Sequence, residues 1–281
     1  YIDPPFDVGA DFSMDIEIPA RSAGGGGDTF TKKPNILEEI AYRDTWGKGT
    51  DSFIAMIYER LILMRDLLAV DGSIYVHCDW RVNSFVRLVM DEVFGSASFS
   101  NEIIWKRSTV KGGKTNSNQM ARNHDSIHYY TKNRESTFNR QHLPFSESYK
   151  NRFSKDDNDG RGPYRDDQPI GTRSEESLEK MKAEGRVFSD AKGKLRIKSY
   201  LNDYDGIVLD DNWLDISEVN VMSKERVFYP TQKPHALIQR IIAMSSNPGD
   251  LVADFFCGSG TTAAVAEKLG RKWIATDLGK F

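Results

Sequence analysis

The sequence is poor in several things that would each have pointed to a special chemistry. Cysteine occurs twice in 281 residues, as Cys78 and Cys257, both in apolar segments. Two such thiols exclude a disulfide framework or a zinc cluster and suit a reduced compartment. No unbroken apolar run reaches membrane-spanning length and no apolar leader opens the chain, so the expectation is a soluble, cytoplasmic protein with no membrane partner. His124, Asp125 and His128 lie close together but recruit no fourth ligand, and no metal is expected. Charge of one sign is lacking too. The 38 Lys and Arg nearly balance 41 Asp and Glu, and a net charge of −3 does not advertise a polyanionic partner.

What is present is locally polarised. From Trp105 to Arg134 there are seven basic residues (Lys106, Arg107, Lys111, Lys114, Arg122, Lys132, Arg134) against the single acid Asp125. From Leu201 to Ser223 there are six acids and no Lys or Arg. One face meeting phosphate and another avoiding it would produce this pattern, and so would chance clustering on a solvated surface.

Periodicity organises the two flanks. Tyr1–Asp3 reads as a strand, and residues 24–27 are four consecutive glycines that read as a flexible loop. Between Phe53 and Val70, Ile54, Ile57, Leu61, Met64 and Leu68 recur at helical spacing. Ser73–Cys78 follows as a strand. Val82, Phe85, Val86, Val89 and Val93 mark a second helix, closed near Gly95, with strands at Glu102–Trp105 and Ser126–Tyr130. Helices alternating with short apolar strands imply an α/β fold with a largely parallel sheet. From 135 to 225 the periodicity fades and charge rises, as in an inserted domain. Regular structure returns with a helix after Pro234, a strand at Leu251–Phe255, a helix at Thr261–Leu269 and a strand at Trp273–Thr276. Because the chain opens and closes on strands, it reads as a piece of a longer one.

Two motifs carry chemistry. Near the end, a strand, the turn Gly258-Ser259-Gly260, a helix, a second strand and then Asp277 make half of a nucleotide-binding unit. Glycines there let a ligand approach the backbone, and a strand-ending carboxylate can accept from both ribose hydroxyls. The third glycine of the dinucleotide fingerprint is missing, because Thr261-Thr262-Ala263 follows, which weighs against a dehydrogenase. At the start, Asp3-Pro4-Pro5-Phe6 offers a carboxylate, a carbonyl held by a rigid proline pair and an aromatic face, a set that could hold an exocyclic amino group. Taken singly, the first is equally a tight strand-to-helix turn and the second an ordinary turn after a strand.

Taken together and in this order, the two motifs resemble the DNA adenine-N6/cytosine-N4 amino-methyltransferases of the permuted, beta-type arrangement, as in modification subunits of restriction-modification systems. The resemblance covers about Tyr1–Lys132 and Phe228–Asp277. It implies a Rossmann-like S-adenosylmethionine-dependent methyltransferase sheet, circularly permuted and mostly parallel. The catalytic half would be residues 1–134, an inserted target-recognition domain 135–225, and the cofactor-binding half 226–281. It implies Asp3, Pro4, Pro5 and Phe6 as the catalytic set gripping and stacking a flipped-out base. Asp254, Phe256, Gly258, Gly260, Thr261 and Asp277 would hold S-adenosylmethionine, with Thr231 and Lys233 of Thr231-Gln232-Lys233-Pro234 beside its methionine part. Lys106, Arg107, Lys111, Lys114 and Arg122 are the expected contacts to double-stranded DNA. The strand that would precede Tyr1, where the family often carries contacts to the cofactor's adenine, is absent, which implies weakened cofactor binding.

Asp rather than Ser at position 3 resembles the adenine branch, with N4-cytosine as the close alternative. A non-catalytic DNA-binding subunit would be expected to have lost Asp3, Gly258, Gly260 or Asp277, and transfer to RNA or to a protein amide usually goes with Asn at the first motif position. A homodimer and a restriction-subunit partner both stay open.

Overall fold

The computed structural model describes residues 1–5, 14–18, 28–32, 50–107, 118–229 and 231–277. By its contacts the chain divides into two compact units. One joins Tyr1–Asn139 with Asp210–Phe281, and the other is Arg140–Leu209.

In the first unit a short hairpin, β1 (Met14–Ile18) with β2 (Asp28–Lys32), precedes α1 (Thr50–Leu67). Then come β3 (Ser73–Cys78), α2 (Asn83–Phe94), β4 (Phe99–Lys106) and β5 (His124–Thr131). Of the helical stripe read from the sequence, Ile57, Leu61 and Met64 of α1 are buried and Ile54 and Leu68 half-buried, with Phe53 and Met56 joining the buried face. In α2 the buried positions are Val86, Met90 and Val93, whereas Phe85, expected in the stripe, is exposed. The face turns by one position because the unbranched Met90 fills the gap between Val86 and Val93. Gly95 ends α2 at a φ of 85°, its N–H returning to the Asp91 carbonyl.

The sheet is continuous through the middle of this unit. β3 pairs with β5 and β5 with β4, both antiparallel, and the two-residue β11 (Asn212–Trp213) pairs in parallel with β4. On the other side of β3, Ile2 bridges Val76 in parallel. Tyr1 N then donates to the Ala253 carbonyl at 3.3 Å, linking to β12 (Leu251–Asp254), which pairs in parallel with β13 (Lys272–Ala275). Only β5 runs against its neighbours, so the expected mostly parallel sheet is present with one reversed strand inside it. Its core is a cluster of Ile2, Phe53, Ile57, Leu61, Val76, Val86, Met90 and Tyr130 among others. A second cluster joins α5 (His235–Ser245) to α6 (Thr261–Lys268) through Ile238, Ile242, Val265 and Ala266.

Residues 210–225 had been grouped with the insert on the sequence. In the structure Asn212 and Trp213 extend the main sheet, and the buried Trp105 indole donates to the Ile216 carbonyl at 2.8 Å. A two-residue strand carries too little periodicity to announce itself.

The unit Arg140–Leu209 is a three-stranded antiparallel sheet of β7 (Tyr164–Pro169), β9 (Leu195–Tyr200) and β8 (Val187–Ser189). A small ladder of β6 (His142–Leu143) with β10 (Ile207–Val208) accompanies it, with short α3 (Glu147–Lys150) and α4 (Glu175–Ala183).

Candidate active site

The chain passes from the sheet centre in two directions. Residues 1–3 continue sideways to β3, and β12 to β13. Such a switch point is where open α/β sheets leave a crevice at strand ends for a ligand. Both motifs lie there.

Asp3 follows the bridging residue Ile2, and its Oδ2 is ion-paired with the Lys233 ammonium. The two side chains are only 15% and 14% exposed. Pro4 is buried and, as a proline, has a fixed φ and no N–H to donate. Phe6 lies outside the described residues, as do the glycine run 24–27, Lys111 and Lys114.

At the cofactor end the glycine loop is braced from beneath. Asp254 is buried. Its Oδ1 accepts from Phe256 N at 3.1 Å and its Oδ2 from Thr262 Oγ1 at 2.5 Å. Burial holds its carboxyl above the ordinary carboxylate value. Both oxygens are thus turned to the loop itself. Thr261 Oγ1 meets Ser259 Oγ at 2.8 Å, and Phe256 packs against the main core.

Two groups face outward. Asp277 accepts from Gly258 N at 2.7 Å through Oδ2, and Gly260 opens α6 at a φ of 74° with nothing near the place of a Cβ. Gly258, at a φ of 47°, is different. A Cβ there would stand 3.0 Å from the Tyr229 ring, so the space its hydrogen leaves is filled by that ring. An exposed strand-end carboxylate, an open left-handed glycine and helix-starting N–H groups form a set that fits a nucleoside-bearing cofactor. Thr231 is exposed.

A buried polar chain lies beside residues 1–3 and runs through His77 of β3. Burial, with the nearby carboxylates of Asp3, Asp254 and Asp125, pushes the Tyr1 phenol well above its usual range, so it stays a donor. It donates to His77 Nδ1 at 2.9 Å, which leaves Nε2–H to donate to Asp125 Oδ2 at 3.1 Å. Burial pushes the Asp125 carboxyl up. The hydrogen bond from His77, with the charges of Arg107 and Lys233, outweighs burial and holds it below the ordinary value. Spacing could not reveal this chain, because Tyr1, His77 of β3 and Asp125 of β5 lie far apart in the sequence.

The expected DNA contacts divide. Lys106 is exposed. Arg107 is turned inward, its Nε 3.5 Å from Asp125 Oδ1. Arg122 lies over the Trp80 ring at 3.9 Å, with Arg81 against the same ring at 5.1 Å. Trp80 is 47% exposed and was not anticipated. Part of the acidic stretch is spent on ion pairs, Asp203 with Arg186 and Asp215 with Arg240. Asp125 faces His77 while His128 Nε2 meets the Asn83 carbonyl at 3.2 Å, and among the described residues no three metal-ligating side chains cluster. No helix among them is long and apolar enough to cross a membrane.

The family model described as DNA methylase matches residues 1–281. The chain belongs to the DNA methylase family. A curated DNA methylase, the type II methyltransferase M.EcaI of Enterobacter cloacae, is 30% identical over 303 residues, covering 100% of this chain and 62% of that protein. The type III restriction-modification enzyme StyLTI Mod subunit of Salmonella typhimurium is 27% identical over 297 residues, covering 94% of this chain and 45% of that subunit. The chain therefore spans roughly half the length of these relatives. Among solved structures, the PvuII DNA methyltransferase (cytosine-N4-specific) aligns with a TM-score of 0.51 at 15% identity, over 99% of this chain and 74% of that one. That likeness concerns the fold alone.

Proposed function

We propose that this DNA methylase chain is the catalytic core of an S-adenosylmethionine-dependent enzyme that methylates adenine N6 of a flipped-out base in double-stranded DNA. The observation that carries this reading is the convergence of its two motifs. Asp3 is bound by Lys233, four residues after the Tyr229 whose ring covers Gly258 of the glycine loop. Bound against Gly260 and Asp277, S-adenosylmethionine would supply a methyl group on a positively charged sulfur.

The chain's own residues address the other half of the problem. An adenine amino nitrogen is a poor nucleophile because its lone pair is delocalised into the ring. Asp3 Oδ1 and the Pro4 carbonyl can each accept one N–H, which favours a tetrahedral nitrogen with its lone pair directed outward. The nitrogen gains the methyl carbon as the carbon–sulfur bond breaks, its electron pair staying on the now neutral sulfur, and the nitrogen gives up one proton to water. Most of the rate gain then comes from alignment. Reaching that geometry requires the base to leave the duplex. Arg140–Leu209 together with the segment up to residue 225 serves target recognition in this reading, and Lys106, Arg122 and Trp80 offer charge and a stacking face to the backbone and bases.

Asp at position 3 supports adenine over cytosine. The restriction-modification role of the StyLTI Mod subunit suggests a restriction partner for the whole protein and a place in the cytoplasm beside the chromosome. Nucleoside mass spectrometry of DNA from a methylation-deficient host expressing the whole protein tests the reaction. The expected product is N6-methyladenine, abolished by Asp3→Ala. N4-methylcytosine would move the target atom, and no methylated base from a folded protein would refute the reading.

A further inference from the structure

Lys233 sits in a segment whose family resemblance assigns it to the cofactor's methionine part, yet its ammonium is directed elsewhere. Among the described residues its partners are Asp3 Oδ2 and, at 3.4 Å, the Thr231 carbonyl of its own segment. No contact to the glycine loop accompanies them. Resting on the reading above, we propose that Lys233 is the positioning residue of the catalytic acid: it clamps one oxygen of Asp3 so that the other presents its lone pairs to the base's amino group.

Three physical facts support this. A carboxylate carries two oxygens and about four lone-pair sites. Held by a single ammonium, it keeps acceptor capacity on Oδ1 while losing the freedom to rotate. Next, the surroundings are crowded with negative charge. Asp254 feels the charge of Asp3, and Asp125 feels that of Lys233, so Asp3 has a carboxylate within electrostatic reach and the lysine acts on both Asp3 and Asp125. Without that cation, a mostly buried Asp3 would stand beside a like charge, a costly arrangement relieved by turning away. A rotated Asp3 would no longer aim its free oxygen at the amino group. Finally, Lys233 lies just ahead of α5, whose Leu237, Ile238, Ile241 and Ile242 are buried, so the ammonium is delivered from a fixed support. The same segment places Tyr229 on Gly258, which makes it a strut between the catalytic acid and the glycine loop.

The test uses the whole protein and separates the two possible jobs of the lysine. Affinity for S-adenosylmethionine is measured by calorimetry, and a single methyl transfer is timed on a preformed DNA complex at saturating cofactor. Lys233→Met is expected to slow transfer roughly 10- to 100-fold, the scale of a misplaced reacting group, while leaving cofactor affinity within about twofold. Lys233→Arg should restore part of the rate, because a guanidinium can hold the same carboxylate. In an Asp3→Asn background, Lys233→Met should add no further loss, since there is no carboxylate left to clamp. A merely structural lysine would give multiplicative losses in that cycle and overturn the proposal. So would a tenfold weaker cofactor affinity with the rate recovered at saturation, or an unchanged rate. Should Lys233→Met not fold, Lys233→Gln read in the same cycle decides. A wild-type protein that transfers no methyl group would instead sink the methyltransferase reading itself.

Discussion

The two compact units are held together by different means. The unit that carries the site rests on aliphatic clusters, with Phe53, Ile57, Val76, Val86 and Leu237 fully buried. Arg140–Leu209 has a thin interior, mainly Phe153, Tyr164, Ile197 and Tyr200, and lays cations over its rings. Arg161 and Arg186 both lie against Tyr200, Arg165 against Phe153, and Lys198 over Tyr164. Ion pairs such as Arg186–Asp203, Arg196–Asp190 and Lys198–Asp157 surround that interior. Burial of apolar area resists salt and acid, whereas exposed charge pairs are screened by the one and neutralised by the other. The second unit should therefore answer to solution conditions that leave the first unmoved.

The comparison is broken most directly at its rings. Tyr200→Ala should cost about 3–5 kcal/mol, as for other buried aromatics, with the loss of hydrogen-exchange protection confined to 140–209. Loss spread over both units would mean they are not separately stabilised. Ile57→Ala should cost about 2–5 kcal/mol in urea denaturation, with protection lost in the site-bearing unit instead. Gly258→Ala places a side chain at a φ of 47° and against Tyr229. The strain is about 1–2 kcal/mol by the left-handed penalty, and the displaced ring should also weaken cofactor binding in calorimetry.

Acid sharpens the contrast. In the smaller unit, hydrogen bonds from Lys198, Arg161 and Arg186 hold Asp157, Asp159 and Asp203 below the ordinary carboxylate value, and the Lys194 N–H chiefly does so for Asp190. A lowered carboxyl contributes stability that is fully present above its unfolded value of about 3.9 and is lost as pH falls through the folded one. Exchange protection of 140–209 should therefore fall below about pH 4, before that of α1 and β3. Solvent screening keeps each step small. The larger unit holds lowered carboxyls too, Glu102, Asp125 and Asp215, and Asp125→Asn should remove Asp125's share of its acid sensitivity while freeing His77 to change partners. The smallest effect is expected from salt: raising it should lower protection in 140–209 slightly and elsewhere not at all. A uniform response would remove the distinction.

Legibility followed the same divide. The helices α1 and α5, the strand β3 and the glycine loop were readable because apolar residues recur at fixed spacing and because glycines and Pro234 mark turns. Within Arg140–Leu209 the buried residues are few and mixed with arginines, so periodicity had nothing to act on. Phe85 was misplaced for a related reason: a window of apolar residues gives a stripe but not its edge, which Met90 decided by packing. At the candidate site, Asp3, Gly258, Gly260 and Asp277 were singled out by motif chemistry, whereas His77, Trp80 and Tyr229 were not. Each of these matters through a neighbour distant in the chain: Tyr1 and Asp125, Arg122, and Gly258.

Sequence alone determined the α/β class, the order of the two chemical motifs and the types of group each could supply, since those depend on local spacing and on what a side chain is. Which groups meet was decided by tertiary structure. The pairing of Asp3 with Lys233, the inward turn of Arg107 and the buried chain from Tyr1 to Asp125 arise because sheet order sets the strand carrying residue 3 between β3 and β12. Charge interactions fall off over a few ångströms, so they are fixed by folded distance and carry no trace in the linear chain.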